Sequence, residues 1–110
     1  MSDHEYILLM TMTDSKAIAD RIATELIDRH LAACVCVDGP VDSTFRWQGA
    51  VERLIEWRCV IKTRAALLPS IESAISELHP YSVPEIVATP VVGGSRRYLD
   101  WIDEMTAAAR

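Results

Sequence analysis

Two spacings of apolar residues alternate along the chain, and their order predicts its secondary structure. Short apolar or alternating runs predict strands, whereas apolar positions that recur every three or four residues predict helices. The predicted strands cover residues 5–12, 32–37 continuing through 41–47, 51–63 and 85–91, and the predicted helices cover residues 15–31, 66–78 and 96–108.

Turn and capping residues lie where this pattern changes. Asp14 or Ser15 can cap the first helix, and Ser95 can cap the last one. Gly39-Pro40 interrupts the second strand as a bulge or a bend. Gln48-Gly49 fits a tight hairpin turn between the second and third strands.

The order strand-helix-strand-strand-helix-strand, followed by a last helix, is typical of an α+β, ferredoxin-like fold. We expect one domain over residues 1–110, with the first two helices on one sheet face. Residues 5–12 and 32–37 are apolar on both faces, which requires a second cover. The last helix and a neighbouring copy are both candidates. The long hairpin, poorly supported by so small a domain, favours a homo-oligomer.

Composition narrows the class of protein. Half of the 110 residues are apolar and the net charge is −5, which argues against a nucleic-acid partner. The longest apolar run, Tyr6 to Met10, is too short to span a membrane. The polar, acidic start shows no signal sequence, so we expect a cytoplasmic protein. Cys34, Cys36 and Cys59 are interpreted as small hydrophobic residues in a reducing compartment.

The segment HPYSVPEI, from His79 to Ile86, is the strongest candidate for a functional site. It places an imidazole, a phenol and a carboxylate on a backbone that two prolines hold extended between a helix and a strand. The alternative is that His79 only ends a helix and Glu85 is an ordinary strand-edge carboxylate. As metal ligands, His79 and Glu85 are fewer than the three or four of a stable transition-metal site.

Two further sets of residues have open interpretations. Glu56, Arg58 and Lys62 share one strand face, where they form either solvated ion pairs or the wall of a pocket. Trp47 ends its strand at the hairpin and is well placed for a partner surface or a pocket.

Met10 and Met12 are interpreted as gap-filling core residues rather than copper ligands. No nucleophile elbow or glycine-rich phosphate loop occurs, so we do not expect an enzyme.

Several motifs, in a fixed order, together resemble one known family. LAAC (31–34), STFRWQG (43–49), IKT (61–63), HPYSVPEI (79–86) and YLDWI (98–102) resemble the CutA family of divalent-cation tolerance proteins, over nearly the whole chain. The resemblance implies a tight homotrimer, built like the PII signalling proteins, with clefts between subunits. It also implies a role in divalent-cation tolerance, with Cu²⁺ or another divalent cation bound. It places these residues around such a cleft: Trp47, Glu56, Lys62, His79, Tyr81 and Glu85.

The chain departs from part of the family pattern. Thr11 and Leu78 occupy positions where some bacterial relatives have a cysteine and a histidine proposed as copper ligands, and only Glu85 of that set remains. Three functions therefore stay open. The first is weak binding of divalent cations by a trimer, and the second is a PII-like sensor of a small molecule near Lys62 and Tyr81. The third is a phosphatase, by analogy of fold alone.

Overall fold

The computed structural model describes residues 4–109, and its elements follow the predicted order. Residues 1–3 and 110 lie outside this range. Residues 1–3 belong to the N-terminal segment on which the predicted cytoplasmic location rests, and residue 110 ends the predicted domain. The strands are β1 (Tyr6–Thr13), β2 (Cys34–Trp47), β3 (Ala50–Arg64) and β4 (Val87–Pro90), and the helices are α1 (Lys16–Asp28), α2 (Leu68–Leu78, preceded by the 3₁₀ turn Ala65–Leu67) and α3 (Arg96–Met105).

The four strands form one antiparallel sheet in the order β2-β3-β1-β4. β3 lies between β1 and β2, as the split βαβ arrangement requires. The predicted α+β, ferredoxin-like fold is therefore confirmed. No helix within residues 4–109 is long and apolar enough to cross a membrane.

The main core lies between one sheet face and helices α1 and α2. Alternate residues of β1 and β3 point to this face, and the helices contribute their apolar stripes. Side chains that are fully buried there include Leu9, Cys59, Ile61, Ile22, Leu26, Ile71 and Ile75.

Capping was predicted more accurately than helix length. The Ser15 hydroxyl accepts a hydrogen bond from the Ile18 N–H at 3.2 Å, and Ser95 does the same for the Tyr98 N–H at 3.3 Å. Helix α1 ends at Asp28 rather than at residue 31, because the chain turns at His30, which has a φ of 58°. β4 begins at Val87 rather than at 85, and α3 ends before the predicted 108.

The predicted interruption at Gly39-Pro40 is a bulge in β2. The register passes from Asp38 opposite Arg58 to Val41 opposite Glu56, so β2 contains one extra residue. Side chains alternate between faces along a strand, and one extra residue therefore exchanges the faces beyond the bulge. Cys34, Cys36 and Asp38 share a sheet face with the odd-numbered residues from 41 to 47.

The opposite face of the sheet, which we call the open face, is only partly covered. Helix α3 packs over one end, where the Tyr6 hydroxyl donates to Asp103 Oδ2 at 2.7 Å and Arg64 Nε donates to Thr106 Oγ1 at 2.8 Å. Beyond the last pair of β1 with β3, Thr13 opposite Trp57, the β2–β3 hairpin continues alone. We call residues 41–56 the hairpin arm. Its β3 strand leaves two apolar side chains more than half exposed: Val51, beside the turn, and Ile55, opposite Asp42 near the base of the arm.

Candidate functional site

A groove of about 760 Å³ lies on the open face, where the hairpin arm leaves the sheet. Strand β1, both strands of the arm and the 79–86 segment contribute its walls. Its main side chains are Met10, Met12, Phe45, Trp47, Glu56 and Tyr81. A larger concavity of about 870 Å³ on the outer side of α2 is shallow, is lined by residues such as Glu72 and Ser76, and contains no predicted site residue.

The bulge at Gly39-Pro40 is what turns the arm's aromatic residues toward this groove. Opposite residues of paired strands share a face, and Phe45 lies opposite Glu52 in the register beyond the bulge. Without the extra residue, Phe45 and Trp47 would point to the face that carries Ile55. The local sequence thus places aromatic and carboxylate side chains side by side.

His79 fixes the segment that forms the remaining wall. Its ring is buried, Nε2 lies 2.6 Å from the Met12 carbonyl oxygen, and Nδ1 accepts the Tyr81 N–H at 3.2 Å. Because Nδ1 accepts, this hydrogen-bond pattern assigns the proton to Nε2 and makes the ring neutral. The Tyr81 ring also packs edge-on against the imidazole, at 4.6 Å between centroids. His79 therefore ties the loop to β1 and orients Tyr81.

Tyr81 links the loop to the carboxylate of Glu56. Its hydroxyl donates to Glu56 Oε2 at 2.8 Å, and the Glu56 side chain is buried. Burial, together with the hydrogen bond to Glu56, raises the pKa of Tyr81 well above its usual value. The phenol therefore stays protonated and keeps donating to this carboxylate at any physiological pH.

The charges of the groove are mostly negative. Glu52, Glu56 and Glu85 line it, with Arg58 as the cation among the lining residues. Arg58 is already engaged, because its guanidinium contacts both carboxylate oxygens of Asp38, at 3.0 and 2.7 Å. This pairing lowers the pKa of Asp38. The groove therefore presents a negative field that attracts cations.

The groove collects part of the predicted site. Trp47, Glu56, Tyr81 and Glu85 all line it. His79 lies behind the wall with both ring nitrogens hydrogen-bonded, so a metal ion would have to displace one of those bonds. Lys62 lies elsewhere on the open face, with Nζ at 5.9 Å from the centroid of the Tyr98 ring.

The two positions that depart from the family pattern lie on the helix side of the sheet. Thr11 is fully buried, and Leu78 packs against the core cluster. Within residues 4–109, no group of three or more His, Cys, Asp or Glu side chains could hold a metal ion.

Sequence analysis missed the part that Met10 and Met12 play. They were interpreted as core residues, but they are only partly buried and form the floor of the groove. The signal was available, because Met10 and Met12 are even-numbered residues of β1, which point to the open face, opposite Val60 and Arg58 of β3. The bulge turns Phe45 and Trp47 to the same face, so the two observations together would have predicted that these four side chains lie on one surface.

Comparisons with known proteins agree with one another over most of the chain. A Thermus thermophilus protein named divalent-cation tolerance protein CutA is 41% identical over 102 residues, which are 93% of this chain and 98% of that protein. The crystal structure of CutA1 from Shewanella sp. SIB1 superposes with a TM-score of 0.92 at 37% identity, covering 96% of this chain and 98% of that one.

A plant relative shows that the same region also occurs within longer proteins. The chloroplastic protein CutA of Arabidopsis thaliana is 32% identical over 91% of this chain, which spans only 55% of that protein's length. The sequence profile described as CutA1 divalent ion tolerance protein matches residues 7–105. The chain therefore belongs to the CutA1 family of divalent ion tolerance proteins.

Proposed function

We propose that this chain forms a homotrimer that binds divalent cations weakly at clefts between its subunits and thereby acts in divalent-cation tolerance. The observation that carries the proposal is the acidic groove on the open face, where Glu56 and Glu85 lie among aromatic and thioether side chains. Two of its polar groups hold each other in place, because the Tyr81 hydroxyl donates to Glu56. This arrangement favours a binding protein over an enzyme.

The groove suits a cation that accepts oxygen ligands. Carboxylates suit hard and borderline divalent ions, and Cu²⁺ is a strong binder among them. Among residues 4–109, one subunit brings no three such ligands together, and stable transition-metal sites take three or four. Weak binding, completed by water or by a second subunit at the cleft, follows from this shortage.

The shape of the hairpin arm supports assembly. Val51 and Ile55 are 58% and 56% exposed, and Phe45 and Leu54 on the other face of the arm are 38% and 36% exposed. Such an apolar patch on both sides of a protruding hairpin is typical of a surface that another subunit covers. We propose the trimer in particular because the family resemblance implies a PII-like arrangement. We also place the protein in the cytoplasm, where its three free cysteines stay reduced.

We predict that Glu85→Gln weakens Cu²⁺ binding about tenfold or more, because the substitution removes a charged oxygen ligand. Isothermal titration calorimetry with Cu²⁺ and Zn²⁺, on the assembled protein, measures this change. Glu72→Gln is the matched control, since it makes the same charge change on the outer side of α2, away from the groove. Equal affinities for wild type and both variants would exclude a site at Glu85.

We predict that the wild type sediments as a species of about three times 12.3 kDa at micromolar concentration. The double variant Val51→Lys/Ile55→Lys is expected to dissociate, because it places charges on the arm surface that a partner would cover. Ile27→Lys, at an exposed apolar position on α1, is the control and should leave the trimer intact. A wild type that sediments as a folded monomer would overturn the proposed assembly.

A second candidate function is the binding of a small molecule in the same groove. Its volume of about 760 Å³ falls within the range of ligand pockets, roughly 300–1,000 Å³, and its walls combine aromatic and charged groups. A ligand that touches both Tyr81 and Lys62 would need the Lys62 of another subunit, since Lys62 does not line the groove of its own chain. Density for an organic molecule in the cleft of the assembled protein, absent after Trp47→Ala, would favour this function over cation binding.

A further inference from the structure

Cys34 and Cys36 place two thiols close together on the open face. They are alternate residues of β2, an edge strand, so both side chains point the same way. Their sulfur atoms are 3.8 Å apart. Cys34 is half-buried, Cys36 is exposed, and both thiols are free. Neither residue lines the groove.

A cationic side chain lies beside this pair. Lys62 is directly opposite Cys34 in the register of β2 with β3. The pKa of Lys62 is raised, first by Tyr98 and then by the two thiols, which shows that its ammonium group lies within electrostatic range of both. Burial and the hydrogen bond with Cys36 raise the pKa of the Cys34 thiol, and Lys62 acts against this rise. The ammonium group therefore offsets part of the negative charge that develops on the sulfurs when a metal ion replaces their protons.

The spacing suits a bridging ion better than a disulfide bond. Alternate residues of an extended strand are about 6.6 Å apart between Cα atoms. That distance is at the upper end of the range for disulfides, about 4.4–6.8 Å, and the sulfurs would have to approach to about 2.05 Å. Two sulfurs on opposite sides of one metal ion, each bonded to it at roughly 2.3 Å, are about 4.6 Å apart. Because the two sulfurs are already 3.8 Å apart, they need to separate by less than about 1 Å to bind such an ion.

We propose that Cys34 and Cys36 form a two-coordinate site for a soft monovalent metal ion, with Cu⁺ as its ligand. Thiolates select Cu⁺ among the biologically common metals, and Cu⁺ is satisfied by two sulfurs in a line. On binding, each thiol releases its proton to solvent and forms one sulfur–copper bond, and no electron is transferred. The product carries one negative charge, which the Lys62 ammonium group balances.

This site is separate from the groove, so the two proposals fail independently. The groove offers carboxylates to divalent ions, whereas the thiol pair offers two sulfurs to a monovalent ion. Glu85→Gln is therefore expected to leave Cu⁺ binding unchanged. Cys36→Ser is expected to leave unchanged the loss of Cu²⁺ affinity that Glu85→Gln causes in the groove.

The test is a competition for Cu⁺ between the reduced full-length protein and the chromophoric chelator bathocuproine disulfonate, without oxygen. We expect the wild type to retain one Cu⁺ per chain, and we expect Cys36→Ser and Cys34→Ser to retain at least tenfold less. Cys59→Ala is the matched control: it removes the third thiol, which is fully buried and whose pKa burial raises to about 11. It should retain copper like the wild type.

A second measurement needs no substitution. Bound Cu⁺ should protect Cys34 and Cys36 of the wild type from alkylation by iodoacetamide, as read by mass spectrometry of the peptides. X-ray absorption of the loaded protein should show two sulfur neighbours. Failure of the wild type to hold Cu⁺ against the chelator, full retention by Cys36→Ser, or unprotected thiols in the loaded protein would each overturn the proposal.

Discussion

Replacing Gly39 with alanine is expected to destabilise the protein by about 3 kcal/mol, because the new methyl group has no room and the backbone no longer suits the residue. Gly39 has a φ of +148°, which side chains other than hydrogen rarely allow. A Cβ atom there would lie 2.8 Å from Trp57 Cδ1 and 3.0 Å from the Glu56 carbonyl oxygen. Urea unfolding monitored by circular dichroism measures the loss.

Neither neighbour can move away easily. Trp57 packs against the core cluster, and the Glu56 carbonyl belongs to the backbone of β3. The strain is therefore relieved only by shifting the bulge, and this shift would change the face to which the arm's side chains point. We expect Gly39→Ala to weaken ligand binding in the groove as well as stability.

The chain contains a matched control for this prediction. Gly49 also has a positive φ, +83°, but a Cβ atom there would meet nothing within 4 Å. Gly49→Ala should therefore cost only the backbone strain, about 1 kcal/mol. If both variants lose the same stability, the contact with Trp57 is not what makes glycine necessary at position 39.

The contrast between these glycines shows what local sequence can predict. Both were expected at interruptions, a bulge or bend and a hairpin turn, and the structure has a bulge and a turn there. The caps Ser15 and Ser95 were predictable for the same reason, since they bond to residues three positions away. Local chemistry needs no knowledge of the distant chain.

The candidate site depends instead on contacts between distant residues. The segment from His79 to Glu85 was recognised from its composition, but whether His79 faces a cleft or anchors the loop depends on the Met12 carbonyl, 67 positions away. Lys62 shares a strand face with Glu56, yet three alternate positions along a strand separate them by roughly 20 Å. The alternation of side chains along a strand predicts that Glu56 and Lys62 share a face, but it does not predict whether they share a pocket.

Replacing His79 with alanine is expected to destabilise the protein by about 3 kcal/mol, the second large effect that the structure predicts. The substitution leaves the Met12 carbonyl and the Tyr81 N–H without their partner and removes a buried ring. Tyr81 loses its edge-on neighbour, so its hydrogen bond to Glu56 should also weaken. Thermal or urea unfolding gives the stability, and hydrogen exchange at the Tyr81 amide reports the release of the loop.

His30 provides the comparison that separates anchoring from a general loss of histidine. It is exposed, and its Nδ1 makes a longer contact of 3.3 Å with the Met105 carbonyl oxygen, so His30→Ala should cost within about 0.5 kcal/mol. If His79 were instead mainly a metal ligand, His79→Ala would weaken Cu²⁺ binding while stability and amide exchange stayed at wild-type values. Because both of its nitrogens are already bonded within the protein, we expect the opposite order: the loop loosens first, and the groove loses affinity because Tyr81 and Glu85 are no longer held in place.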